Sequence, residues 1–389
     1  MFLSEKVLLA LRSVISMDGY VPLHEPRFSG NEWAYVKECL DTGWVSSAGK
    51  YVDKFENMLV DYTGVKYAVA TVNGTAALHI SLKLVGVKQY DEIFVPALTF
   101  VATANAVAYC GAVPHFVDNE EKTLGVDPEK LLNYLNEIAD IRGEECYNRQ
   151  TGRRIKALIP MHTFGHPVDI DPLSELCRRF KLEMIEDAAE SLGSYYKGKH
   201  TGNWGKLAIL SFNGNKTITT GGGGAILTNS ESMGKQAKHL TTTAKIAHPW
   251  EYRHDQVGYN YRLPNINAAL GCAQLEQLDA FLHQKRNLAE RYETAFQDVK
   301  GIRFFIETEF AKSNYWLNVL LLDEAFSDQR DHVIDLTNRN NIMTRPAWTL
   351  MHKLPMYRDC PRMDLSVAES LEQRLINIPS SSILGASNA

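Results

Sequence analysis

Short apolar runs alternate with longer segments of helical period along the first two thirds of the chain. The runs at 68–72, 92–95, 113–117, 156–160, 182–186, 207–212 and 224–228 predict strands. Between them, 75–86, 99–109, 128–138, 170–180 and 231–243 carry apolar residues at helical spacing. Strands alternating with helices imply crossover connections, hence an α/β fold with a mainly parallel sheet and helices on both faces. From Leu275 the pattern changes to a long charged helix reaching Val299, followed by a mixed α+β segment with a strand from Tyr315 to Asp323. Thr151-Gly152-Arg153-Arg154, with Glu144 and Glu145, reads as a solvated loop. The expected division is an N-terminal helix or extension (1–25), a large domain (26–274) and a smaller C-terminal domain (275–389).

Met1 to Met17 is amphipathic, with Val7, Leu8, Leu9, Leu11, Val14 and Ile15 interrupted by Lys6 and Arg12. No small-residue cleavage site follows it, so a packed or dimer-contacting helix is expected rather than a signal peptide. No apolar stretch approaches the ~18 residues a bilayer span requires. At 389 residues the chain can bury a large core, and 41 Lys and Arg against 46 Asp and Glu argue against a nucleic-acid binder. Cys39, Cys110, Cys146, Cys177, Cys272 and Cys360 form no C-x-x-C pair. They suggest reduced thiols in a cytoplasm, not a disulfide frame or a metal site.

Three segments carry candidate chemistry. Lys216 follows the apolar strand 207–212 and precedes Gly221-Gly222-Gly223-Gly224. An ordinary lysine, with a pKa of about 10.4, is a poor nucleophile at neutral pH, so covalent carbonyl chemistry needs it held in a special site. Upstream, Leu182 to Asp187 reads as a buried strand ending in carboxylates, where an α/β sheet opens towards its ligand. Asp187 there either caps a following helix or holds a pyridine nitrogen protonated, the partner that makes pyridoxal phosphate an electron sink. The strand Tyr67 to Val72 is broken by Asn73-Gly74, and Thr75 opens a helix. That corner is either an ordinary capped turn or a site where free amides receive a phosphate dianion. Ser211 could donate a second bond to the same phosphate.

Taken together, these residues make the chain resemble the DegT/DnrJ/EryC1/StrS sugar aminotransferases, which are pyridoxal 5'-phosphate enzymes of fold type I. Its landmarks run in order from about Pro26 to about Tyr357: Asn73-Gly74-Thr75-Ala76, Pro96-Ala97-Leu98-Thr99-Phe100, His162-Thr163-Phe164-Gly165, Glu186-Asp187-Ala188-Ala189-Glu190, Ser211-Phe212 with Lys216, and Gly258-Tyr259-Asn260-Tyr261-Arg262. The resemblance implies that Lys216 forms the Schiff base and shuttles a proton between the substrate carbon and the cofactor. Asp187 would pair with the ring nitrogen and Phe100 would stack on the ring. Gly74, Thr75, Ala76 and Ser211 would surround the phosphate, and Asn260 would reach the cofactor of a neighbouring subunit across a homodimer interface. Glu190 stands where many members have Gln, near the ring hydroxyl, and an ionised Glu cannot donate a hydrogen bond there.

Some relatives replace the lysine with His and dehydrate sugars. Lys216 favours transamination, with glutamate as donor and a nucleotide-linked keto sugar as acceptor. The combination most resembles enzymes that aminate C4 of UDP-4-keto-6-deoxy-N-acetylglucosamine for bacillosamine and legionaminic acid in bacterial surface glycans; GDP- and dTDP-linked sugars are the alternatives. Arg345, Trp348 and Lys245 are either contacts to the nucleotide diphosphate or ordinary surface and packing residues. His162 and His352 each either face the sugar or hold their own loops. A non-catalytic cofactor-binding regulator is the rival from another class, and such proteins carry an added DNA-binding region not expected here.

Overall fold

All seven expected strands form, and they line up in one sheet in the order Tyr67–Thr71, Gly224–Thr228, Leu207–Ser211, Glu183–Asp187, Arg154–Leu158, Glu92–Pro96 and Val113–Val117. The structure, a computed structural model, describes residues 2–16 and 19–386. Met1, Met17 and the last three residues of the expected C-terminal domain, 387–389, lie outside the described residues. From Leu207–Ser211 through to Val113–Val117 the neighbours run parallel. Gly224–Thr228 is antiparallel to both of its neighbours.

The strands are mostly apolar between their ends because both faces of the sheet are covered. Ile185, Leu207, Ile209 and Ile226 pack on one face with Leu78 and Leu82 of the helix Gly74–Leu84. On the other face Ala208, Leu210, Ala225 and Leu227 pack with Phe55, Leu59 and Phe212. The C-terminal ends of the parallel strands, together with the end of Tyr67–Thr71, therefore open on one edge. That edge holds Asn73, Phe100, Asp187 and Ser211.

The expected solvated loop before residue 155 is structured instead. Ala139–Arg142 and Glu145–Asn148 form a hairpin that continues onto Arg154–Leu158. The guanidinium of Arg154 holds Asp91 (Nε to Oδ1 3.0 Å, Nη2 to Oδ2 2.6 Å) and Glu145 (2.7 Å), while the Thr151 hydroxyl donates to buried Glu92 (2.6 Å). These charges read as solvent-facing because their partners Asp91 and Glu92 come from a strand distant in sequence.

The long helix expected from Leu275 to Val299 forms as Leu278–Phe296, and a separate helix, Asn265–Leu275, ends just ahead of it. At the break, the Gln277 side chain donates to the Ala273 carbonyl (3.0 Å) and to buried Glu32 (2.6 Å), so the bend is fastened to the segment ahead of the large sheet. A four-stranded antiparallel sheet follows, ordered Ile302–Phe304, Asn318–Leu322, Leu375–Ile378 and Arg345–Pro346. Its central strand begins three residues later than expected because Tyr315 takes a left-handed turn (φ 47°) and sends Trp316 towards the open edge of the large sheet. The N-terminal helix Leu3–Val14 buries Val7, Leu11 and Val14 against Leu288, Tyr292 and Phe296, so it belongs to the core around this second sheet. Leu9 stays exposed on its outer face. Among the described residues, no helix is long and apolar enough to cross a membrane.

Candidate active site

A cleft of about 310 Å³ lies at the open edge of the large sheet, and Lys216, Asp187, Glu190, Ser211, Gly74, Thr75, Phe100 and Trp348 all line it. Strand alternation decides which carboxylate enters. Asp187 lies on the same face as Ile185 and beside Ile209, another cleft residue, whereas Glu186 points to the opposite face. There Glu186 accepts three backbone N–H groups, from Gly202 (2.8 Å), Trp204 (2.7 Å) and Gly205 (2.7 Å). Burial opposes its ionisation, but the His162 ring and these amides outweigh it and lower its pKa.

Asp187 has fewer supports. Its carboxylate accepts the Thr103 hydroxyl (2.7 Å) and the Ala189 N–H (3.2 Å). Burial raises its pKa, and Thr103, the Ala189 amide and the charge of Lys216 offset this only in part. A buried carboxylate short of positive partners suits a cationic ring nitrogen.

On the other side of the cleft, the helix Gly74–Leu84 begins at the Asn73 turn. The Asn73 side chain, rather than Thr75, is the cap, accepting the Ala76 N–H at 2.7 Å. The amides of Gly74 and Thr75 precede the first intrahelical bond, from Ala77 N–H to the Asn73 carbonyl (3.1 Å), and are left for a ligand. A side chain on Gly224 would put its Cβ 2.5 Å from the Asn73 carbonyl carbon and 2.6 Å from the Gly74 nitrogen. This contact explains the last glycine of the run, which lets the strand start directly beneath the turn. Ser211 sits against Gly74, where an added Cβ would come within 3.1 Å of the serine Cβ. A glycine-walled helix start beside a hydroxyl fits a phosphate.

Between the two ends lies Lys216. Its Nζ is 3.0 Å from Glu190 Oε1 and 3.8 Å from the centre of the Trp316 ring. The other Glu190 oxygen accepts the Phe164 N–H (2.9 Å). Burial pushes the Glu190 carboxyl up to about 7 despite the facing ammonium of Lys216. Phe164 adopts a left-handed conformation (φ 57°), and its ring lies 4.9 Å from Trp348. An amine, an anion for a ring nitrogen and a phosphate cradle on one cleft are the groups that pyridoxal 5'-phosphate requires.

Other expected contacts are elsewhere. His162 is fully buried: its Nδ1 accepts the Val168 N–H (3.3 Å), which leaves the protonated Nε2 facing Glu186 (3.1 Å). It therefore braces the sheet rather than facing a sugar. His352 is buried on the turn Met351–Lys353 with Nε2 3.1 Å from Glu369. Lys245 lies on an exposed two-stranded hairpin, 4.4 Å above the Tyr252 ring. Arg345 is exposed on the edge strand of the second sheet. Asn260 is exposed, its amide oxygen held by Arg262 (2.9 and 3.1 Å), and does not line this chain's cleft. Sequence reasoning missed the capping role of Asn73, and did not single out Thr103 or Trp316. Thr103 carried a signal, a hydroxyl one helical turn after Thr99 on the inward face, whereas Trp316 lay inside an expected strand.

Comparison with known proteins agrees with this chemistry. The chain is 38% identical to a GDP-perosamine synthase of Escherichia coli O157:H7, over 93% of each chain. It is 39% identical to a GDP-perosamine synthase of Caulobacter vibrioides, over 91% of each. The crystal structure of the aminotransferase TlmJ from Streptoalloteichus hindustanus superimposes with a TM-score of 0.85 at 25% identity, covering 95% of both chains. The pattern of one family spans residues 26–388. The chain belongs to the DegT/DnrJ/EryC1/StrS aminotransferase family, and it uses pyridoxal 5'-phosphate on a fold type I scaffold.

Proposed function

We propose that this protein transfers an amino group from glutamate to the C4 carbonyl of a GDP-linked 4-keto-6-deoxy sugar. The observation that carries the reaction class is the convergence of Lys216, Asp187 and the Asn73–Thr75 helix start on one cleft. The nucleotide rests on likeness to the two GDP-perosamine synthases, at 38% and 39% identity. The UDP-linked N-acetyl sugar expected from the sequence gives way to it.

Bound in the cleft, pyridoxal phosphate supplies an electrophilic carbon and an electron-accepting ring. The chain's own groups do the rest. Asp187 holds the ring nitrogen protonated, and Thr103 keeps that carboxylate turned inward. Gly74, Thr75 and Ser211 bind the phosphate. Lys216 moves the proton at the substrate carbon, and Trp316 shields its amine from water. Phe100 stacks on the ring face, and Trp348 beside it, on the open side, forms the wall on which the sugar settles. We place the working unit as a homodimer in which Asn260 of one chain meets the neighbour's phosphate site. Exposed Trp250, Tyr252 and Val257, close to Asn260 in sequence, supply an apolar surface for that contact.

The test is a half-reaction. The protein is loaded with pyridoxal phosphate, converted by glutamate, freed of donor, and offered GDP-, UDP- and dTDP-linked 4-keto-6-deoxy sugars in turn. Recovery of the original absorbance with the GDP-linked sugar, and an amino sugar in the product, is the expected result. Recovery with the UDP-linked sugar alone would refute the nucleotide assignment.

A further inference from the structure

Glu190 has a more specific place than its neighbours in the cleft. It is 3% exposed, and the amide of Asn314 fixes its main-chain carbonyl (2.8 Å). The Phe164 N–H takes one carboxylate oxygen at 2.9 Å, so the other is aimed at Lys216 Nζ, 3.0 Å away. The left-handed backbone of Phe164, between Thr163 and Gly165 (φ 98°), turns that N–H inward. Such a conformation costs about 1–3 kcal/mol in a non-glycine residue and persists where the surroundings enforce it.

The residue type matters because of this anchoring. A glutamine at 190 would give its oxygen to the Phe164 N–H and present its NH2 to Lys216. It would then offer a donor to a donor and could not accept a proton. The carboxylate can.

We propose that Glu190 is the proton partner of Lys216: its carboxylate holds the proton on the lysine ammonium while the amine waits, and takes that proton when the amine is to react. An N–H bond breaks at Nζ and an O–H bond forms at Oε1, so two facing charges become two neutral groups and nothing is oxidised. The raised pKa of Glu190 agrees with a proton held at little cost near neutral pH. Trp316, stacked over Nζ, keeps water from taking its place. Asp187 also faces Glu190 and raises its pKa. His24 stands near Lys216, and burial with the charges of Lys285 and Lys216 holds its pKa well below the usual value. This inference rests on the reading of Lys216 as the working amine.

The test uses the pyridoxamine form of the holoenzyme, made with glutamate alone, in which Lys216 is free. Its labelling by acetic anhydride is followed by peptide mass between pH 6 and 9 for wild type, Glu190→Gln and Glu190→Asp. Loss of an opposite charge in contact changes an ionisation by about 1–3 pKa units, so E190Q should label about tenfold or more faster at pH 8. The ratio should shrink towards one at pH 6, where Glu190 is itself protonated. E190D, which keeps the charge but withdraws it, should fall between the two. Superimposable profiles in folded, cofactor-loaded proteins would overturn the proposal. Borohydride trapping of the pyridoxal form separates the two readings. If the cofactor is found on another residue, the proposed function falls; if it is on Lys216 and the profiles coincide, only the role of Glu190 falls.

Discussion

Replacing Asp187 with Asn should separate cofactor binding from folding, weakening the first and leaving the second nearly unchanged. In the cofactor-free protein the Asp187 carboxylate is buried, supported by Thr103 at 2.7 Å and Ala189 at 3.2 Å, and its pKa is raised by burial. A carboxyl whose folded pKa lies above its unfolded value of about 3.9 binds more protons folded than unfolded. Its contribution is therefore complete below the unfolded value and is lost as pH rises through the folded one. Asn removes that loss. Its oxygen can keep the Thr103 bond, while the weaker Ala189 bond is given up at about 0.5–1.5 kcal/mol. The cofactor-free D187N protein should therefore stay within about 1 kcal/mol of wild type at pH 8, with a flatter dependence of stability on pH above about 4.

Cofactor binding should weaken by far more. A hydrogen bond to a charged group is worth about 1.5–3 kcal/mol, which corresponds to roughly ten- to a hundredfold in affinity. Pyridoxal phosphate titrated by absorbance into D187N should show that loss, and steady-state transamination should fall further because the ring nitrogen loses its anion. Denaturant unfolding of the cofactor-free proteins at several pH values supplies the stability arm. Unchanged affinity and rate would refute the assignment of Asp187 to the ring nitrogen. Equal affinity loss together with a collapse in cofactor-free stability would show that Asp187 holds the fold instead.

Lys216→Ala should fold and bind pyridoxal phosphate without a covalent bond, yet lose multiple turnover; repeated turnovers at the wild-type rate would remove Lys216 from the chemistry. Gly224→Ala places a Cβ 2.5 Å from the Asn73 carbonyl carbon, so it should cost about 1–3 kcal/mol and weaken pyridoxal phosphate binding at least tenfold by displacing the phosphate turn. Wild-type affinity there would mean that the turn does not bind the phosphate. Arg154→Met leaves Asp91, 8% exposed, without its guanidinium and should cost about 2–3 kcal/mol in denaturant unfolding. Cofactor affinity should not change, because Arg154 begins its strand at the end of the sheet away from the cleft.

The expected site residues that the structure gathers in one cleft share one property: each is tied to the end of a strand. Asp187, Ser211 and the Asn73-Gly74 break occur at fixed offsets from apolar runs, and a parallel sheet brings such ends to one edge whatever the connections do. Lys216, in a glycine-rich loop after Ser211, inherits that position. The reading failed where a side chain's role depends on a partner from another element. His162 was open between facing a sugar and holding its own loop, and Glu186, which alternates to the far face of its strand, captures it. Arg154 and Glu145 looked solvated until Asp91 arrived beside them. Glu190 shows the same dependence within the cleft. Its spacing from Asp187 placed it near the cofactor, but the Phe164 amide, from a loop before the preceding helix, points its free oxygen at Lys216. Strand ends thus gather these groups in one cleft, and contacts from distant elements decide which way each side chain points.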